Sequence, residues 1–157
     1  MAEDFDGFCR AEYAGIYRAA LAFTGDKEAA LDATQEAFSR AFARWSRLSR
    51  EPWAGGWVMT TALNLCKGSR SQNAVSTGFE QMPPVTDSDI HLDLESALRT
   101  LPLRQRQAVL LHYLADLPIA SVAHLMGASE GTIKTHLARG RRSLSRVLEP
   151  IKGEPRL

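Results

Sequence analysis

The chain has 157 residues, 45% of them apolar, and a formal net charge of +1. This length suits one mid-sized domain or two small ones of about 100–150 residues or fewer, and the near-neutral total does not by itself point to a polyanion partner. Only Cys9 and Cys66 are present, which excludes a disulfide framework and suits a reducing compartment.

Three helices are legible before residue 75. The first spans about 5–23, with Phe8, Tyr13, Ile16, Tyr17, Ala20 and Leu21 near helical spacing and Gly25 as its breaker. Asp26 is placed to cap the second, which runs to about Trp45. That helix carries an aromatic stripe (Phe38, Phe42, Trp45) beside Ala30, Ala33, Ala37 and Ala41, small residues that permit close helix approach. On another side Asp32, Gln35, Glu36 and Ser39 fall at i, i+3, i+4 and i+7, the pattern of an amphipathic helix's wet side. Pro52 and Gly55-Gly56 mark a connection, and a third helix spans about 57–70. Trp53 and Trp57 flank the glycines, where aromatic rings either stack on unpaired bases or fill a core. No stretch alternates as a strand would, so the expected fold is all-α.

Residues from about 71 to 89 hold Pro83-Pro84, several serines and much of the acidic excess, a composition that predicts a flexible linker. Between Ser76 and Leu98 there are five acids and no lysine or arginine; from Arg99 onward there are ten bases against Asp116, Glu130, Glu149 and Glu154. Such sign asymmetry points to a polyanion for the C-terminal part. The expected organisation is a helical module over 1–72, a linker over 73–89, a second module over 90–150 and a tail over 151–157. In the second module, helices are expected over 90–100 and 103–114, Pro102 opening the latter. A short helix over 119–126 follows Pro118, and after Gly127-Ala128 a last helix runs from about 130 to a stop at Pro150.

The last two helices form a helix-turn-helix. Ser129 stands at the N-cap, and Gly131 and Thr132 follow in a first turn whose amides suit a DNA phosphate. Ile133 and Leu137 fall four apart, with Leu144 and Val147 continuing that inward side. Lys134, Thr135, His136, Ala138, Arg139 and Arg142 lie off it, where a helix in a major groove presents side chains to bases or phosphates. Arg141 and Arg146 are expected on the backbone or in solvent. His112 and His124 are read as packing or surface histidines.

Two sets of residues carry a family resemblance. One is Thr24-Gly25-Asp26 followed by Asp32-Ala33-Thr34-Gln35-Glu36-Ala37-Phe38. The other is Leu101-Pro102 with Arg106, then Gly131-Thr132-Ile133-Lys134-Thr135 and Arg139-Gly140. Together they resemble bacterial RNA polymerase sigma factors of the extracytoplasmic-function (ECF) group, of a SigE-like actinobacterial type, from about residue 5 to 148. The resemblance implies a region 2-like module that binds core polymerase and the −10 promoter element, and a region 4-like helix-turn-helix module that binds the −35 element. It assigns Leu31, Asp32, Gln35, Glu36 and Phe38 to core-polymerase binding. The segment 49–70 is assigned to capture of the −10 element, with Trp57 and Asn64 at family positions and Lys67 and Arg70 toward phosphates; the Trp53 ring joins them by its place beside the glycines. The −35 element falls to Lys134, Thr135, Ala138 and Arg139, with Gly131 and Thr132 holding phosphate. The chain departs from the family pattern at Leu31, where an acid is usual, at Leu63, where arginine is common, and in keeping only Arg70 of a closing arginine run.

The implied function is a promoter-specificity subunit directing transcription initiation. Its expected partners are core RNA polymerase, promoter DNA and an anti-sigma protein, with no membrane, small-molecule substrate, cofactor or metal. A LuxR-type helix-turn-helix regulator binding an operator without polymerase would also carry Ser129 to Leu137, but its strand–helix receiver is not visible in the N-terminal half. A helical decoy that only occupies polymerase is the other rival. No nucleophile elbow, phosphate loop or paired metal ligands suggest an enzyme. No apolar run nears the roughly 20 residues that cross a bilayer, and the acidic Met1-Ala2-Glu3-Asp4 start is unlike a signal peptide; a cytoplasmic protein is expected.

Overall fold

The computed structural model describes the backbone of residues 2–69 and 88–153 and the side chains of 4–67 and 94–147. All regular structure among them is helical. Helix α1 (Ala2–Thr24) ends at Gly25, whose φ of +75° is left-handed and so favours glycine. The Asp26 carboxylate accepts from the Ala29 amide at 3.1 Å and caps α2 (Lys27–Ala43). Ala30, Ala33, Ala37 and Ala41 are all buried, and this strip of methyl groups lets α2 pack against both α1 and α4. A single turn, α3 (Trp45–Leu48), leads to α4 (Ala54–Ser69). That helix starts three residues before the expected point and takes in Gly55 and Gly56, which the sequence suggested were a connection. Gly56 is used there for its missing side chain: a Cβ would lie 2.6 Å from Leu117 Cδ1.

In the second module, α5 (Ser88–Arg99) leads through the buried Leu101 to α6 (Leu103–Val109). The helix expected over 103–114 does not continue as one α-helix; its last turn, Leu110–Leu114, widens into a π-helix in which the Ala115 amide reaches the Leu110 carbonyl at 3.1 Å. The chain then closes tightly through Asp116, with φ of 58°, while His112 Nδ1 lies 2.8 Å from the Leu117 carbonyl oxygen. Helix α7 (Ile119–Met126) ends where the sequence places the Gly127-Ala128 break, with Gly127 as a left-handed cap at φ +66°. Helix α8 (Glu130–Gly153) passes Pro150, where a stop was expected. A proline near a helix end forfeits one hydrogen bond in the last turn, whereas one deep in a helix also bends the axis. The segment read as a flexible linker, 73–89, lies outside the described residues except for the two that open α5, as do the last four residues of the tail.

The buried side chains of both modules join in one continuous cluster, which reaches from Phe38 through Phe23 and Leu101 to Leu137. Helix α1 packs on α5, and α4 packs on α7. Arg106 lies at the junction, only 7% exposed. Its Nη1 donates to the Phe23 carbonyl at 2.6 Å, and Nη2 donates to the carbonyls of Arg99 (2.9 Å) and Leu101 (2.8 Å). The chain ends of α1 and α5 thus share one cation, which suits the negative end of each helix dipole. On one side the modules leave an apolar groove of about 470 Å³ lined by Arg18, Leu94, Leu110, Tyr113, Leu114 and Leu144 among others.

Candidate nucleic-acid interface

The local chemistry of the turn fixes how α8 is presented. Ser129 Oγ accepts from the Thr132 amide at 3.0 Å and donates to Thr132 Oγ1 at 2.9 Å, so one orphan amide of α8 is satisfied by its own cap. Ile133 and Leu137 are 0% and 2% exposed and pin the helix to the core. Gly140 is buried and abuts α6, where a Cβ would come 2.9 Å from Val109 Cγ2, so glycine allows the two helices to cross closely. With that side held inward, Lys134, Thr135, Ala138, Arg139 and Arg142 emerge in solvent together with Ser129, Gly131 and Thr132. The result is one exposed basic face beginning at a positive helix terminus, an arrangement suited to a DNA groove and its phosphates.

His136 stands at the edge of that face rather than on it. It is half-buried, and its Nδ1 is enclosed without a hydrogen-bond partner among the described residues. Burial first, then the positive charges of Arg104 and Arg139, hold its pKa below the usual value of 6.5, so the ring is neutral at neutral pH. Arg141 is exposed and donates to the Tyr113 hydroxyl at 2.8 Å. Val147, expected on the inward side, is 46% exposed, because the core ends before α8 does.

On the first module, Leu31, Asp32, Gln35 and Glu36 are exposed on α2. Glu36 accepts from Arg40 Nε at 2.9 Å, a half-exposed pair worth at most about 1 kcal/mol. Phe38 corrects the expectation: it is 6% exposed, stacked on Tyr13 with centroids 5.4 Å apart and tilted against Phe8 at 6.0 Å. Its ring completes the α1–α2 core and offers nothing to a partner. The aromatic residue that does reach solvent is Phe42, 57% exposed with its ring 5.1 Å from Phe5. At 3.6 residues per turn, positions 31 and 42 lie about three turns apart on nearly one line, a signal present in the sequence that spacing from Leu31 would have revealed.

The residues assigned to the −10 element are gathered along α4 and the turn before it, yet several already have neighbours. Trp53 lies 5.1 Å from the His124 ring of α7. Trp57 carries the Arg44 guanidinium 5.5 Å above its ring. Asn64 Oδ1 accepts from Gln107 Nε2 of α6 at 3.1 Å. Lys67 is half-buried, and burial together with nearby Arg104 lowers its pKa. Arg70 lies outside the described residues. Leu63, where the family commonly has arginine, is wholly buried, so this packing has no room for a charge there.

Cys66, also on α4, is in the core, and burial and then Asp26 push its thiol up to about 12. A thiol so far from ionising is a poor nucleophile. Cys66 is therefore expected to resist iodoacetamide at neutral pH in the folded protein and to react fully once denatured, as intact mass would report; rapid native alkylation would contradict this burial. Among the described residues no group of three or more His, Cys, Asp or Glu side chains is placed to hold a metal ion, and no helix is long and apolar enough to cross a membrane.

Residues 8–74 match the family described as Sigma-70 region 2, and residues 91–144 match that described as Sigma-70, region 4. The chain is 35% identical to the ECF RNA polymerase sigma factor BldN of Streptomyces coelicolor over 85% of its own length and 56% of that relative's. It is 28% identical to the ECF RNA polymerase sigma factor SigM of Mycobacterium tuberculosis over 92% of this chain and 76% of that one. The chain thus spans little more than half of BldN but most of SigM. In fold it is similar to the sigma factor RpoE of Bartonella quintana, solved in complex with the anti-sigma factor NepR, with a TM-score of 0.74 at 23% identity over 94% of this chain and 98% of that one. With both regions matched in order and in two helical modules, the chain belongs to the ECF group of RNA polymerase sigma factors, a non-enzymatic family.

Proposed function

We propose that this protein is a cytoplasmic promoter-specificity subunit that binds core RNA polymerase through α2 and directs it to promoters through two DNA-reading faces. The observation that carries this reading is the pair of unlike exposed faces on separate modules: Leu31, Asp32, Gln35 and Glu36 on α2, and Lys134, Thr135, Ala138, Arg139 and Arg142 on α8. Phe42 extends the first face with an apolar anchor in place of Phe38. Trp53, Trp57, Asn64 and Lys67 serve the −10 element, where unpaired bases stack on aromatic rings, and Arg70 continues that line in sequence. Ser129, Gly131 and Thr132 hold phosphate at the head of α8, and His136 shapes the edge of its face. Joined in one chain and fixed on polymerase, two weak DNA contacts act at high effective concentration.

An anti-sigma protein is a further proposed partner, since RpoE was solved with one and this chain presents an apolar groove between its modules.

The polymerase contact is tested by co-purification. The Leu31→Ala, Phe42→Ala double variant is expected to leave folding intact, because both side chains are exposed, and to weaken binding to core polymerase about 30-fold or more, equivalent to about 2 kcal/mol of interface hot spot. Undiminished binding would move the polymerase site off α2.

A further inference from the structure

We infer that Arg44 is a further −10-binding residue: its guanidinium holds the face of Trp57 in the free chain, yields that face to an unpaired base, and then pairs with the phosphate beside it. The inference rests on the reading of α4 proposed above and extends it to a side chain outside that helix.

Arg44 stands between α2 and α3 with φ −113° and ψ 17°, outside both helices. Its backbone is nevertheless fixed. The amide donates to the Ala41 carbonyl at 3.0 Å, and the carbonyl accepts from the Leu48 amide at 2.8 Å. Trp45 beside it turns into the core, and Arg44 is left exposed. From this root the side chain reaches the half-buried Trp57 of α4, with its guanidinium carbon 5.5 Å from the ring centroid. Among the described residues the guanidinium makes no hydrogen bond or ion pair, so the fold engages none of its N–H donors. Arg47 and Arg50 are exposed on the same stretch, where Glu51 is the one acid from 44 to 51. Trp53 has a neighbour from the second module, His124, whereas the cover on Trp57 comes from its own module.

Magnitudes decide which group takes the ring. A cation over an aromatic face at an exposed site shifts an equilibrium by about 2- to 5-fold, whereas an unpaired base stacked there contributes about 5- to 150-fold. The base wins. The displaced guanidinium is a planar fork of donors that matches a phosphate bidentately, and a single strand carries a phosphate beside every base. One weak contact is thus exchanged for two stronger ones, and the arginine needs only a side-chain rotation to make the second.

The test uses the full chain bound to core polymerase and a fluorescent single strand carrying the non-template −10 sequence of a promoter mapped by genomic footprinting. Affinity is measured over salt concentrations at which chain and polymerase co-elute. Arg44→Ala, with helical circular dichroism retained, is expected to weaken strand binding about 3- to 10-fold and to reduce the salt slope by about 0.7, the share of one single-strand phosphate. Arg44→Lys should restore the slope and part of the affinity, because it keeps the charge without the fork. Arg44→Gln should restore neither. Trp57→Leu should weaken binding about 5-fold or more with the slope unchanged, because a ring carries no charge. If Trp57→Leu is impaired but Arg44→Ala binds as tightly as the parent, or more tightly, or with an unchanged slope, the inference alone is overturned, and Arg44 only covers the ring. If Trp57→Leu binds like the parent, the −10 reading of that ring fails and the inference fails with it.

Discussion

Arg106→Ala is expected to lower the stability of the free protein by about 3–5 kcal/mol. The side chain supplies donors to three carbonyls in a nearly dry site, and each buried acceptor stranded by its loss costs about 1–3 kcal/mol, with partial relief where water enters. The guanidinium also lies 5.0 Å over the Phe23 ring, so its removal takes packing with it. For a chain of this size the loss corresponds to a fall of about 10–15 °C in Tm. Arg106→Met should fare little better, because it restores volume but no donor. Arg106→Lys should fall between, since one ammonium cannot reproduce the planar fork that reaches three acceptors. Thermal unfolding by calorimetry measures the series; a loss under about 1 kcal/mol for alanine would mean that those carbonyls find water at no cost, and that Arg106 does not hold the modules' junction.

Arg139→Ala is expected to behave oppositely: no change in Tm and a large loss in DNA binding. Arg139 is exposed and makes no hydrogen bond or ion pair among the described residues, so the free fold does not depend on it. A side chain held ready on a groove-reading helix is worth about 1–3 kcal/mol against a base edge, about 5-fold to 150-fold in affinity. The loss should be confined to the cognate −35 sequence, measured on duplex with the polymerase-bound protein across a salt series. A uniform loss on all sequences, with the salt slope reduced by about one, would instead place Arg139 on a phosphate. No loss on any sequence would remove α8 from the DNA interface.

The parts of the fold legible in the sequence were those governed by near neighbours. Asp26 capping α2, the break at Gly127-Ala128 and Ser129 capping α8 each follow from a few adjacent residues, and the outward side of α8 follows from the spacing of Ile133 and Leu137. Errors arose where distant residues decide. The place of Phe38 depends on Tyr13 and Phe8 rather than on its own helix, and Gly56 serves a close approach of Leu117 to α4 rather than a break in the chain. The widened turn at Leu110–Leu114 has no periodic signature, since apolar spacing there is equally good for an α-helix. The packing of one module on the other was the least legible feature. Arg106 meets Phe23 across 83 positions, and neither residue announces the other.

The central claim, that one helical chain confers promoter choice on polymerase, is tested most directly by run-off transcription. Purified core polymerase is combined with the full chain on a promoter mapped by genomic footprinting of the complex. The account predicts a discrete transcript that appears only with the added chain and is lost when the −35 or the −10 element is scrambled. Folded protein that co-elutes with core polymerase yet yields no transcript above core alone would contradict it.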